Sequence, residues 1–138
     1  MSLCVASALA ALSLAAPGFT LSWVHSVERI EWQERWRAQD GALLLVQARV
    51  KGSGAGMEPP PDAHRQAGWW VYAPILPPQP VLWLAVSGAT VSGWRLCEDG
   101  GPCHELEAEL APPGSGVDRL RVSADAACAP VSESDRRP

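Results

Sequence analysis

The chain lacks most of what nucleic-acid-binding, membrane-spanning and nucleotide-binding proteins require. Its 11 lysines and arginines are outnumbered by 15 aspartates and glutamates, for a net charge of −4, and the basic residues form no cluster. That argues against nucleic acid or an anionic membrane surface as a partner. No apolar run reaches the roughly 20 residues that a membrane-crossing helix needs. No glycine-rich loop is followed by the lysine and helix of a phosphate-binding motif, and no G-x-S-x-G nucleophile elbow occurs. Phenylalanine and tyrosine occur once each, whereas tryptophan occurs seven times.

At 138 residues and 47% hydrophobic composition, the chain is long enough to bury a core within one domain. Its 13 prolines and 12 glycines favour many turns over long helices.

The first charged side chain is Glu28, and "MSLCVASALAALSLAAPGF" precedes it. The apolar run from Leu3 to Ala16 has the length of a signal-peptide core, with small residues for cleavage near Ala15 or Ala16. Residues 1–16 are therefore expected to be an export signal or an uncleaved N-terminal anchor, although no Lys or Arg precedes the run. Any membrane attachment would run through this segment alone. The alternative is a buried N-terminal helix.

With that segment removed, Cys97, Cys103 and Cys128 remain. Cys97 and Cys103 flank Asp99-Gly100-Gly101, a strong hairpin-turn signal, so a disulfide across the hairpin is expected in an oxidising compartment. A metal site of Cys97, Cys103 and His104 is the weaker reading, because structural zinc wants four ligands and shorter spacing. Cys128 is then an odd thiol in a disordered tail.

Period-two alternation dominates the rest. Phe19, Leu21, Trp23, His25 and Val27 share one face of a strand, as do Ile30, Trp32, Glu34, Trp36 and Ala38. "ALLLVQARV" follows the Asp40-Gly41 turn, and "GWWVYAPI", "PVLWLAVSG", "TVSGWRLC" and "CHELEAEL" supply four more candidates, with "GVDRLRVSA" a weak last one. The expected fold is all-β: a single antiparallel sandwich or partly open barrel of about seven or eight short strands. The β domain is placed at residues 17–110, and residues 111–138 are read as a proline- and serine-rich extension.

If the first two strands form a hairpin with Phe19, Trp23, Trp32 and Trp36 inward, paired residue numbers must sum to an odd value. His25 and Glu34 then become same-face neighbours, directly opposed or one diagonal step apart. A carboxylate among tryptophans needs a donor or a cation, and His25 is the first candidate. The glycines of "KGSGAGMEPPP" can form an anion-binding nest or simply a loop passing close over the hairpin. Trp69 and Trp70 are neighbours in sequence and should face opposite ways, leaving one exposed. His64 lies in a polar loop and is read as solvated.

"HSVERIEWQERWR", followed one strand later by "GSGAGM", resembles the bacterial family of domain of unknown function 1850. The family's small exported proteins are often encoded beside TRAP transporters with TAXI-class receptors. The resemblance covers roughly residues 19 to 106 and implies that His25, Ser26, Val27, Glu28, Glu34, Gly54, Ala55 and Gly56 carry the family pattern. The chain departs from it in lacking a proline between Glu28 and Glu34, and in its cysteine hairpin.

Two function classes follow. In the first, the chain is an exported, non-catalytic binding or accessory module of a TRAP-type system. His25, Ser26, Glu28, Glu34 and the Gly54-Ala55-Gly56 loop would form a polar pocket for a small acidic ligand or a surface for the transporter's receptor. No metal or other cofactor is called for. In the second, it is an acid–base or metal-assisted hydrolase using His25 as base and Glu34 to orient it. That reading needs a nucleophile, and strand alternation points Ser26 away from His25. The enzyme reading is the less favoured.

Overall fold

The computed structural model describes residues 2–24, 30–51, 63–86, 93–125 and 127–132. The elements among them are, in chain order, β1 (Leu3–Ala6), β2 (Ala11–Leu14), β3 (Gly18–Val24), β4 (Glu31–Gln39), β5 (Ala42–Lys51), β6 (His64–Gln66), β7 (Trp69–Tyr72), β8 (Val81–Ala85), β9 (Arg95–Glu98), β10 (Cys103–Glu105), α1 (Leu106–Leu110) and β11 (Arg119–Ser123). A four-stranded sheet, ordered β2-β1-β11-β8, packs on a seven-stranded sheet, ordered β10-β9-β3-β4-β5-β7-β6. All pairings are antiparallel and neither sheet closes, so the fold is the expected all-β sandwich. The described strands number eleven, more than the expected seven or eight.

The inward residues of the two sheets meet as the alternation predicts. Leu3, Val5, Leu120 and Val122 from the small sheet pack against Phe19, Leu21, Trp36 and Leu96 from the large one. The β4–β5 hairpin turns on Asp40 and Gly41, whose φ values of 52° and 78° are both left-handed, which suits this Asp-Gly pair. "CHELEAEL" is not one strand. Its chain leaves β10 and makes a single helical turn, which buries Leu106 and Leu110 against the core.

Residues 3–14, expected as an export signal or anchor or else as a buried helix, form β1 and β2 of the small sheet. Every residue of β1 is buried. Leu3 and Val5 face the core, while Cys4 and Ala6 face the C-terminal segment around Val131 and Cys128. A strand covered on both sides reads as one unbroken apolar run, which a signal-peptide core also does. Cleavage at Ala15 or Ala16 would take both strands out of the sheet.

The weak last strand expected in "GVDRLRVSA" is β11. β11 lies inside the small sheet between β1 and β8, and Leu120 and Val122 are fully buried. Cys128 is not an odd thiol. It is joined to Cys4, 124 residues away, and Cys97 is joined to Cys103 across the predicted hairpin. All four cysteines are therefore paired, which removes the reading of Cys97 and Cys103 as metal ligands.

Candidate functional site

Of the predicted site residues, Glu34 is the one that the structure describes; His25, Ser26, Val27, Glu28, Gly54, Ala55 and Gly56 lie outside the described residues. The strand ends flanking them meet at one end of the sandwich. Val24 pairs with Glu31, Trp32 with Val50, and Lys51 with Trp69. Trp94, just after residues 87–92, lies 5.0 Å from the Trp23 ring and donates its indole N–H to the Ala85 carbonyl at 2.8 Å. Trp23 also stacks on Trp32, with centroids 6.3 Å apart. The β3, β4 and β9 ends are thus held together by a row of three indoles.

Glu34 lies in the middle of β4. Its pairing partner is Leu21. The odd sum is correct, since 21 and 34 add to 55, but β3 ends at Val24, three residues or about 10 Å along the strand from that rung. His25, the expected neighbour of Glu34, lies outside the described residues. The donor that Glu34 requires is Trp36, two residues on along the same face, whose indole N–H reaches its Oε1 at 3.1 Å. Burial raises the Glu34 pKa above the ordinary carboxylate value, and the Trp36 hydrogen bond opposes part of that rise. Across the small Ala48 lies Tyr72, whose hydroxyl is pushed up by burial first and by the Glu34 charge second.

The opposite face of the same strands carries a polar row. Glu105, Arg95, Ser22, Gln33 and Arg49 are successive partners across β10, β9, β3, β4 and β5. Gln33 donates to Glu31 Oε2 at 2.8 Å and accepts from Arg49 Nε at 2.6 Å. Arg49 in turn lies over the Trp69 ring at 4.2 Å. Trp69 and Trp70 do face opposite ways, yet both are half-buried and each carries an arginine over its ring, so neither is the exposed residue that alternation predicts. His64 is exposed, as expected, but opens β6.

At the β3 end of this row is an open groove of about 410 Å³ lined by Ser22, Trp23, Val24, Glu31, Arg95 and Glu105. Arg95 meets Glu105 only loosely, through Nε at 3.7 Å, with both side chains more than half exposed. The two terminal nitrogens of Arg95, the Ser22 hydroxyl and Glu31 Oε1 have no hydrogen-bond partner among the described residues. A larger groove of about 750 Å³ runs along α1 and residues 112–117, but its charged lining is Glu105 and Glu107 alone. Glu107 there already accepts the Trp94 N–H at 2.7 Å, an approach that Gly93 permits because a Cβ would lie 2.6 Å from Glu107 Oε2. The smaller groove is the one with both signs of charge and with hydrogen-bonding groups that are unused among the described residues.

A second polar cluster escaped the sequence reading. Glu98, 8% exposed, accepts the N–H groups of Ala15 and Ala16 at 2.8 and 3.3 Å through Oε1 and meets His104 Nε2 at 2.9 Å through Oε2. His104 Nδ1 is 3.3 Å from Glu109. These bonds, the His104 one foremost, hold the Glu98 carboxyl below its ordinary pKa despite burial. The cluster clamps the β2–β3 connection onto the β9–β10 hairpin, which is a structural task. Among the described residues no group of three or more His, Cys, Asp or Glu side chains is placed to hold a metal ion.

Residues 19–106 match the family model of a domain of unknown function, DUF1850. No curated protein and no solved structure matches the chain.

Proposed function

Because this chain belongs to the DUF1850 family, we propose that it is an extracytoplasmic, non-catalytic binding or accessory module working beside a TRAP-type transporter. Its ligand is a small acid that offers a carboxylate, or an acidic surface of the transporter's receptor. The observation that carries this reading is the groove beside the Val24–Glu31 rung, where Arg95 and Ser22 keep donors unused among the described residues in an open, half-polar space. The His-Ser-Val-Glu segment continues the chain from that rung. Two disulfides suit an oxidising compartment. No helix among the described residues is long and apolar enough to cross a membrane.

The hydrolase alternative is the less favoured reading, since the Glu34 carboxylate already accepts the Trp36 indole N–H. Thermal unfolding with and without a panel of mono- and dicarboxylates, alongside capture of the transporter's receptor on the immobilised protein, tests the proposal. A rise in melting temperature with a carboxylate, or capture that Arg95→Ala abolishes, supports it. Turnover of an ester or amide by the unliganded protein would replace it with the hydrolase reading.

A further inference from the structure

The groove of Ser22, Arg95, Glu31 and Glu105 is not complementary to an anion alone. Arg95 brings one positive charge, but Glu31 and Glu105 bring two negative ones, so a simple carboxylate held by Arg95 meets net repulsion from its surroundings. An amine alone has the reverse difficulty at Arg95. The charges are also arranged in space. Ser22 and Val24 occupy successive outward positions of β3; Arg95 is the partner of Ser22 on one side and Glu31 the partner of Val24 on the other. With strands about 4.8 Å apart and a rise of about 3.3 Å per residue, the Arg95 and Glu31 backbones are about 12 Å apart across β3. A long arginine and a glutamate leaning toward each other over that span leave the width of one small head group between guanidinium and carboxylate. Ser22, 8% exposed, forms the floor beneath it.

We propose that this groove binds the zwitterionic head of a free α-amino acid, with its carboxylate on the terminal nitrogens of Arg95 and the Ser22 hydroxyl and its ammonium on Glu31 Oε1. The inference rests on the binding-module reading and adds the second half of the ligand's head group. Gln33 has a defined part in it, since its amide holds Glu31 Oε2 and leaves Oε1 turned to the ligand. Glu105 steadies the Arg95 stem through Nε and leaves the guanidinium fork for a bidentate contact. The ligand's side chain lies along Val24 and the open mouth of the groove, so the head group is read more strictly than the side chain.

The test is ligand-observed NMR on the full chain with the twenty common amino acids, followed by titration of each binder against its deaminated carboxylic acid and its decarboxylated amine. At least one amino acid should bind with a Kd below about 1 mM, and each analogue should bind at least about tenfold more weakly. Arg95→Ala should weaken the amino acid by at least about tenfold, and Glu31→Gln should weaken it similarly while leaving the deaminated acid no weaker. An unchanged melting temperature in both variants shows that they fold. Binding of dicarboxylates in preference to every amino acid would overturn this inference and leave the binding-module reading standing. Amino-acid binding that survives Arg95→Ala would overturn it too, by placing the site elsewhere. Failure of every amino acid and every carboxylate to bind, together with failure to capture the receptor, would overturn both readings.

Discussion

Replacing the two disulfides in turn should expose how unequally they hold the fold. Cys4–Cys128 closes a loop of 124 residues and Cys97–Cys103 one of 6. In the chain-entropy treatment, cross-linking stabilises by restricting the unfolded chain, which gives about 5 kcal/mol for the long loop and about 2 kcal/mol for the short one. For a chain of this size, each kcal/mol moves the melting temperature by about 4 °C. Cys4→Ala with Cys128→Ala should therefore lower it by about 20 °C, and Cys97→Ala with Cys103→Ala by about 8 °C. The double variants avoid free thiols, and alanine avoids placing a hydroxyl in the fully buried position of Cys4. Thermal unfolding followed by circular dichroism, with urea titration for the free energies, reads both values. Equal losses, or a larger one from the short loop, would refute the reasoning and with it the placement of β1 beside the C-terminal segment.

Three further outcomes follow from the same geometry. Glu98→Gln should cost about 2–3 kcal/mol at neutral pH, because a buried carboxylate with three charge-assisted bonds loses its charge. Since the folded pKa of Glu98 lies below its ordinary 4.5, its contribution is complete above that value and is lost as pH falls through the lower folded pKa. Urea titrations between pH 7 and pH 3 should thus show the variant and wild type converging in acid; a constant gap would contradict the assignment. Glu34 and Glu107 have the opposite sign: their raised folded pKa values mean that protonation favours the fold, so both should titrate above 4.5 in carboxyl-detected NMR. Trp36→Phe should push Glu34 higher still by removing its donor, and a Glu34 that titrates normally would refute that hydrogen bond. Leu3→Ala should cost about 2–5 kcal/mol as a fully buried core leucine, and a near-neutral result in urea unfolding would return residues 3–6 to the status of a dispensable leader.

The inward set from Phe19 to Trp36 was legible because one buried face imposes period two, and the parity of the hairpin register followed from it. The absolute register was not legible. The pairing of Leu21 with Glu34 satisfies the odd sum, but the hydrophobic pattern fixes only that parity and not which odd value is adopted. The Asp-Gly turn and the cysteine hairpin were legible because each is decided by local geometry. β1 was not legible as a strand because burial on both faces erases alternation. The Glu98 clamp joins residues more than eighty positions apart, and a lone glutamate at the end of a strand gives no sign of such a partner. Arg95, Ser22 and Glu31 likewise come together only through the order β9-β3-β4, which adjacency in sequence does not reveal.

The seven tryptophans supply the most direct test of the binding site, because their indole N–H signals report separately on different parts of the surface. Assigned two-dimensional NMR spectra should be recorded with and without the amino-acid and dicarboxylate panels. The account predicts that a ligand shifts Trp23, which lines the groove, with smaller shifts at Trp32 and Trp94 beside it, and leaves Trp83 on the small sheet unmoved. Shifts centred on Trp83, or no shift with any candidate at saturating concentration, would contradict it.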